Sequence, residues 1–413
     1  MPDNINVSVI IPTYNAGKQF ERLLDMLYQQ KGLHDVEIVV VDSGSRDETV
    51  LTAEKRECNV VKISQEQFSH SYSRNLGAEN ARYDYIVFMT QDALPENELW
   101  IANLVEPLLG KGEIAASTCI EQPKKEADLF SRMAIKQQAD WLLEGKLDRV
   151  LQMPGELPEG ETWETVIRKN GCINDVACAY RKDIFLQYRY RLNYAEDLDM
   201  GKRLIEAGHK LMLLGSVKVI HSHNRSSMYY LRRMLVERVA LVQIFSDQET
   251  AALTEEEFIT GTVWLYNKVV GWINEIVEMP LKWSKNAVLL DIKDICVRER
   301  GIMGQKQIKI EACPDLKDFM ARLENYQKKF EGQTENQGGE KFYELYQMKM
   351  EGLIGFLWNE GNDTVSMKLL IEICEAMYCL LGNVVGTLFG DMVLGTKELK
   401  YLEQEYYTLG KGI

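Results

Sequence analysis

The first 120 residues switch repeatedly between two periodicities, and this alternation limits the fold more than any other feature of the chain. VSVIIPTYN is a short apolar run stopped by Pro12; Phe20, Leu23, Leu24 and Leu27 then recur at the three-to-four spacing of an amphipathic helix. VEIVVVDSGS is a second apolar run ending on Asp42, and SRDETVLTAEK opens the next helix. NVVKIS predicts a third strand. SHSYSRNLGAENA predicts a helix whose Gly77, Ala78 and Ala81 allow close approach to a sheet, and YDYIVFMTQD predicts a fourth strand. Strands alternating with helices build βαβ units, hence an α/β fold with a mostly parallel sheet covered on both faces. Ligands of such sheets sit beyond the carboxyl ends of the strands. Asn15, Asp42 and Asp92 all fall at such ends.

From about Ile114 to Val219 the pattern loosens. MPGELPEGETWE is loop-like, and NDVACAYRKDIF predicts a strand and a short helix. AEDLDMGKRLIEAG predicts a helix that opens on acids and closes at Gly208, and KLMLLGSVKVIHSHN two short strands running into a histidine pair. Beyond about Ser226 the stripe Leu231, Leu235, Val239 and Val242 begins a mainly helical half. Two domains are therefore expected, 1–225 and 226–413, with a linker in FEGQTENQGGEK near 331–340. Gly382, Gly386 and Gly390 share one helical face, which suits close packing inside a domain or a homodimer. The other reading of that row is a helix lying at a membrane surface, although no basic flank supports it.

A formal net charge of −14 argues against binding along nucleic-acid backbones but leaves room for a small phosphate pocket. The eight cysteines form no CxxC pair and the start MPDNINVSVIIP is not a signal segment, so reduced thiols in the cytoplasm are expected. No apolar run reaches the ~18–20 residues of a spanning helix, so the chain is expected not to cross a membrane.

VSVIIPTYNAG, VVVDSGSRDET, FMTQDALP, AEDLDMGKRL and VIHSHN occur in this order, and together they resemble a family 2 glycosyltransferase with the GT-A fold. More narrowly, FSHSYSRNLGA, TQDALP and VIHSHNRSSMYYLRR are similar to bacterial rhamnosyltransferases that build surface polysaccharides. The resemblance covers roughly residues 5–240. It implies transfer, with inversion, of a sugar from a nucleoside-diphosphate donor, dTDP-L-rhamnose first and another dTDP- or UDP-sugar next. The implied acceptor is a lipid-linked saccharide or polysaccharide at the inner face of the cell membrane. A nucleotidyltransferase on a similar sheet and a non-catalytic sugar-nucleotide-binding scaffold are the rivals.

Such a transfer needs a grip on the nucleotide, neutralisation of the departing diphosphate and a base for the acceptor hydroxyl. On the resemblance, Asp42 accepts from the N3–H of uracil or thymine, Pro12, Thr13 and Tyr14 wall the base, and Asn15 and Ser43 stand beside it. The plainer reading makes Asp42 a turn acid within DSGS. Arg74 and Asn75 are expected on the diphosphate, with His70 preceding them in a role that does not follow from the residues. Gln91 and Asp92 stand where the family has a DxD motif, but the triplet here is Thr90-Gln91-Asp92, without the first acid. Asp92 with His221 and His223, which share one side of an extended segment, is the expected site for Mn2+ or Mg2+. A histidine ligand suits Mn2+ the better of the two; two structural histidines are the alternative. Asp197 is the expected general base, kept ionised by the positive end of its helix, and Glu196 an orienting or acceptor-binding group, where plain capping would be the simpler account. Asn174 and Asp175 are expected on the acceptor side. Arg232 and Arg233 are candidates for an anionic ligand or members of a solvated basic face.

Overall fold

The computed structural model describes residues 5–110, 113–245, 253–279, 284–297, 310–330, 339–360, 365–396 and 398–411. The chain forms two compact units, one of residues 1–127 with 134–222, the other of 128–133 with 223–413. The linker expected near 331–340 lies, over 331–338, outside the described residues.

The first unit holds, in chain order, β1 (Asn6–Thr13), α1 (Gln19–Tyr28), β2 (Asp35–Asp42), α2 (Thr49–Lys55), β3 (Asn59–Lys62) and α3 (His70–Asn80). β4 (Tyr85–Met89), β5 (Leu94–Pro95), α4 (Trp100–Val105) and β6 (Ile114–Gln122) follow. α5 (Leu129–Leu143) begins among the residues of the second unit and ends in the first. β7 (Asp148–Leu151), α6 (Trp163–Asn170), β8 (Ala177–Arg181), α7 (Lys182–Tyr188), α8 (Glu196–Glu206) and β9 (Lys210–Ile220) complete it.

The sheet runs β3-β2-β1-β4-β8-β6-β9-β5, with β7 on β9. Its first four strands are parallel, as their βαβ pattern requires. From β8 onward the directions mix: β8 is antiparallel to β4 and β6, while β6 and β9 are parallel. This is the GT-A arrangement, a mixed sheet between helices. A Cβ on Gly77 would stand 2.3 Å from the Ile10 side chain, so the small residues of α3 do let it settle onto β1. One local expectation is corrected. The two short strands read in KLMLLGSVKVI are the single strand β9, whose partner register on β6 jumps from Leu214 to Lys218. That irregularity absorbs Gly215, Ser216 and Val217 and supplies the break that the sequence suggests.

The second unit is helical: α9 (Ser227–Ile244), α10 (Glu255–Val277), α11 (Lys285–Val297), α12 (Pro314–Gln327), α13 (Gly339–Asn359), α14 (Met367–Gly395) and α15 (Glu403–Leu409). Its core is its own, built on Phe258, Trp272, Phe319, Phe342 and Phe389. The glycine row packs α14 against α9: a Cβ on Gly382 would meet the Ser227 carbonyl at 2.0 Å, and one on Gly386 the Leu231 carbonyl at 2.1 Å. α14 is long and apolar enough to cross a bilayer by length and composition, contrary to the reading from uninterrupted runs; 72% of its most apolar window is buried within the fold. Arg232, a candidate for anion contact, donates through Nε to the Leu409 carbonyl at 3.1 Å.

Candidate active site

The site is assembled where strands of the first unit end. Beyond β1 and β2 the two loops are stitched together. The amides of Asn15, Ala16 and Gly17 donate to Ser45 Oγ, Thr49 Oγ1 and Asp47 Oδ2 at 2.8, 2.8 and 3.1 Å, and Arg46 N–H returns a bond to Asn15 Oδ1 at 2.8 Å. Asn15 has a left-handed backbone with φ 46°, which asparagine tolerates better than most residues. Asp42, buried, receives Thr13 Oγ1 at 3.0 Å, the amides of Gly44 and Ser45 at 3.1 and 2.9 Å, and the Ser45 hydroxyl. Four donors match the lone-pair sites of a carboxylate, so the geometry uses Asp42 as the acid that shapes the DSGS turn. Ser43 is likewise tied to the Thr13 carbonyl, at 2.9 Å through its amide. Tyr14 is exposed beside these loops, with Pro12 half-buried in β1.

Gln91 has a local explanation. Its side chain accepts from Tyr14 N–H at 2.9 Å and donates to the Tyr14 carbonyl at 3.2 Å, clamping the end of β1 to the end of β4. A carboxylate could make only the first of these bonds. Asp92, next in the chain, has Oδ1 3.6 Å from His221 Nε2. On the other side of the ring, His221 Nδ1 lies 2.7 Å from Glu121 Oε2. Glu121 thus fixes the orientation of the ring, with Nε2 directed toward Asp92. Asp92 Oδ1 and His221 Nε2, 3.6 Å apart, belong to a group of side chains placed closely enough that they could hold a metal ion. His223 is joined to His221 through Ser222 alone and is the first residue of the second unit.

The acids of α8 follow Ala195, whose left-handed φ of 55° turns the chain into the helix. Glu196 is 4% exposed and Arg74 only 2%. Arg74 Nη2 lies 2.8 Å from Asp175 Oδ2 and Nη1 3.2 Å from Glu196 Oε1. Asp197 Oδ1 accepts from Leu198 N–H at 2.8 Å, and its Oδ2 accepts the Asp175 amide at 3.4 Å. Burial, then the Asp175 charge, pushes both the Glu196 and Asp197 carboxyls well above the usual carboxylate range. Burial and the neighbouring acid thus act against the helix end on Asp197. A helix terminus contributes only ~0.3–1 kcal/mol, less than burial beside other acids.

Arg74 and Asn75, expected on a diphosphate, both face inward. Asn75 exchanges two bonds with the backbone of Tyr190, at 2.9 and 3.1 Å, and Ser71 donates to the Leu192 carbonyl. α3 thus fastens the segment that delivers α8. Asn174 Nδ2 donates to Glu121 Oε1 at 2.7 Å. Hydrogen bonds, the 3.6 Å approach of Asp92 to His221 and peptide links between chain neighbours together connect Asp42 through Thr13, Tyr14 and Gln91 to Asp92, and Asp92 through His221, Glu121, Asn174 and Asp175 to Asp197. Sequence reading missed Glu121 altogether. Its signal was an acid at the polar end of the apolar run IAASTCIEQ, the same mark that singled out Asp92.

The family model described as glycosyl transferase family 2 matches residues 8–169. The chain is 31% identical over 232 residues to the O-antigen chain rhamnosyltransferase RfbN of Salmonella typhimurium, a match covering 53% of this chain and 67% of that protein. It is 28% identical over 223 residues to the O-antigen chain rhamnosyltransferase WbaN of Salmonella anatum, covering 52% and 66%. Among solved structures it is similar to the mannosyltransferase PcManGT from Pyrobaculum calidifontis, in complex with GDP-Man and Mn2+. That pair shares 18% identity with a TM-score of 0.44 over 60% of this chain and 67% of the other.

Proposed function

Because this chain belongs to glycosyl transferase family 2, we propose that it moves a sugar, with inversion, from a nucleoside-diphosphate donor to a saccharide acceptor of a surface polysaccharide. The rhamnosyltransferase relatives favour L-rhamnose from dTDP-L-rhamnose. A UDP-sugar is the alternative donor and a lipid-linked chain at the inner membrane face the proposed acceptor.

The observation that carries this reading is the line of contacts, completed by the peptide link from Asn174 to Asp175, that joins Asp92 and His221 to Asp197 at one end of the strands. The stitched loops after β1 and β2, with the exposed Tyr14 ring, form the nucleotide cradle. Asp92 and His221, with His223 two residues further on, are the residues that would hold Mn2+ or Mg2+. The bound ion would supply positive charge to the departing diphosphate. Asp197 takes the proton of the acceptor hydroxyl at Oδ1 or Oδ2 as that oxygen attacks the anomeric carbon. Its raised affinity for a proton suits this role, since a base works best when its pKa lies near the working pH. Asn174 and Asp175, just before β8, stand at the same end of the strands and orient the acceptor.

Replacing Asp197 by Asn tests the reading. Folding should be unchanged and the rate of nucleoside-diphosphate release from dTDP-L-rhamnose, or from whichever sugar nucleotide protects the protein from thermal unfolding, should fall ~10²–10⁴-fold. A near-normal rate would move the base elsewhere.

A further inference from the structure

Arg74 is among the most deeply buried cations of the first unit, yet it was expected on the donor diphosphate. Moving its guanidinium toward a ligand would leave Asp175 and Glu196 without their cation in a desolvated pocket, a loss that is strongly destabilising. The arrangement points to another use. Three carboxylates, Asp175, Glu196 and Asp197, converge from a loop and a helix, and one planar cation reaches two of them at 2.8 and 3.2 Å. The third is tied to the first through the Asp175 amide.

We propose that Arg74 is a positioning residue of the reaction: by bridging Asp175 and Glu196 it locks the first turn of α8 and keeps Asp197 able to give up its proton before the acceptor arrives. The inference rests on Asp197 being the base. Arginine suits the task because its rigid fork serves two carboxylates at once and stays charged. The surrounding groups cannot replace it. His70 Nδ1, 3.3 Å from Nη1, can only accept from the guanidinium, so the ring brings no charge toward it. Cys172, Cys178, Tyr180 and Tyr190 face the cluster from the end of α6, from β8 and from the segment after α7. Burial raises the pKa of each, so they stay neutral. Arg74 is thus the one cation acting on the acid pair among these groups, and it favours their ionised forms.

The sign of this effect makes it testable without a known acceptor. Infrared titration of the full-length protein, taken as wild type minus Asp197→Asn, isolates the proton of Asp197. Arg74→Gln should raise the titration midpoint by at least ~1 pH unit, the effect of losing a nearby opposite charge. Asp175→Asn should lower it, because a like charge is removed. Arg74→Lys should restore most of the wild-type midpoint. A structural disturbance would not move the two variants in opposite directions. A folded Arg74→Gln protein with an unchanged midpoint would overturn the proposal. If that variant does not fold, an Asp175→Asn midpoint that stays put or rises overturns it instead. Failure of the parent reading shows separately: the acid limb of the wild-type pH–rate profile would then not follow the Asp197 midpoint.

Discussion

Gln91 and Glu121 owe their roles to partners far away in sequence. Gln91 clamps Tyr14 across 77 positions, and Glu121 orients His221 across 100. Gln91→Glu would bring the residue nearer to an acid-rich motif, yet it loses a donor and sets a carboxylate against the Tyr14 carbonyl. A loss of about 1 kcal/mol in chemical denaturation is expected; equal or greater stability would show that the clamp does nothing. Glu121→Gln removes the carboxylate charge that backs His221 Nδ1 at 2.7 Å. Calorimetric titration with Mn2+ should show affinity reduced ~10–100-fold, as when other partners behind a ligand are lost. Unchanged affinity would remove His221 from the ion site. The strand-end acids were legible beforehand because each ends an apolar run. The clamp, the histidine's backing and the partners of Arg74 were not, because nothing in a local pattern says which distant side chain a polar group will meet.

At the level of elements, the placement of the acids depends on a backbone-to-backbone contact between α6 and α8. A Cβ on Gly201 would stand 1.8 Å from the Gly171 carbonyl. Gly201 lies one turn beyond Asp197, and Gly171 leads into Asn174 and Asp175, so the contact sets the spacing of the whole cluster. Gly201→Ala is expected to cost at least ~1–3 kcal/mol by overpacking and to depress transfer further by pushing α8 away. A variant with wild-type turnover would show that the spacing has slack. The elements up to β4, with β8, α7 and α8, were legible, whereas β5, α4, β6, α5, β7 and α6 went unread; in β9 the apparent break is a bulge within one strand, and local periodicity cannot distinguish a bulge from a turn. The purpose of Gly171, just after α6, and of Gly201 in α8 was not legible, since close approach depends on which two elements meet.

For the molecule as a whole, each unit has a core of its own, and the proposed nucleotide site belongs to the first. Scanning calorimetry should therefore resolve more than one unfolding transition. A sugar nucleotide at ~100 times its Kd should raise only the transition of the first unit, by ~2.7 kcal/mol of added stability. A single transition that shifts as one would show that the two cores melt cooperatively. The loops beyond β1 and β2 bear on the kinetics of that binding. Held by one another's side chains before any ligand is present, they have little freedom left to lose. Donor capture should therefore resemble docking into a finished mould, with the association rate set by diffusion and orientation, and selectivity among nucleotides expressed in how fast each one leaves.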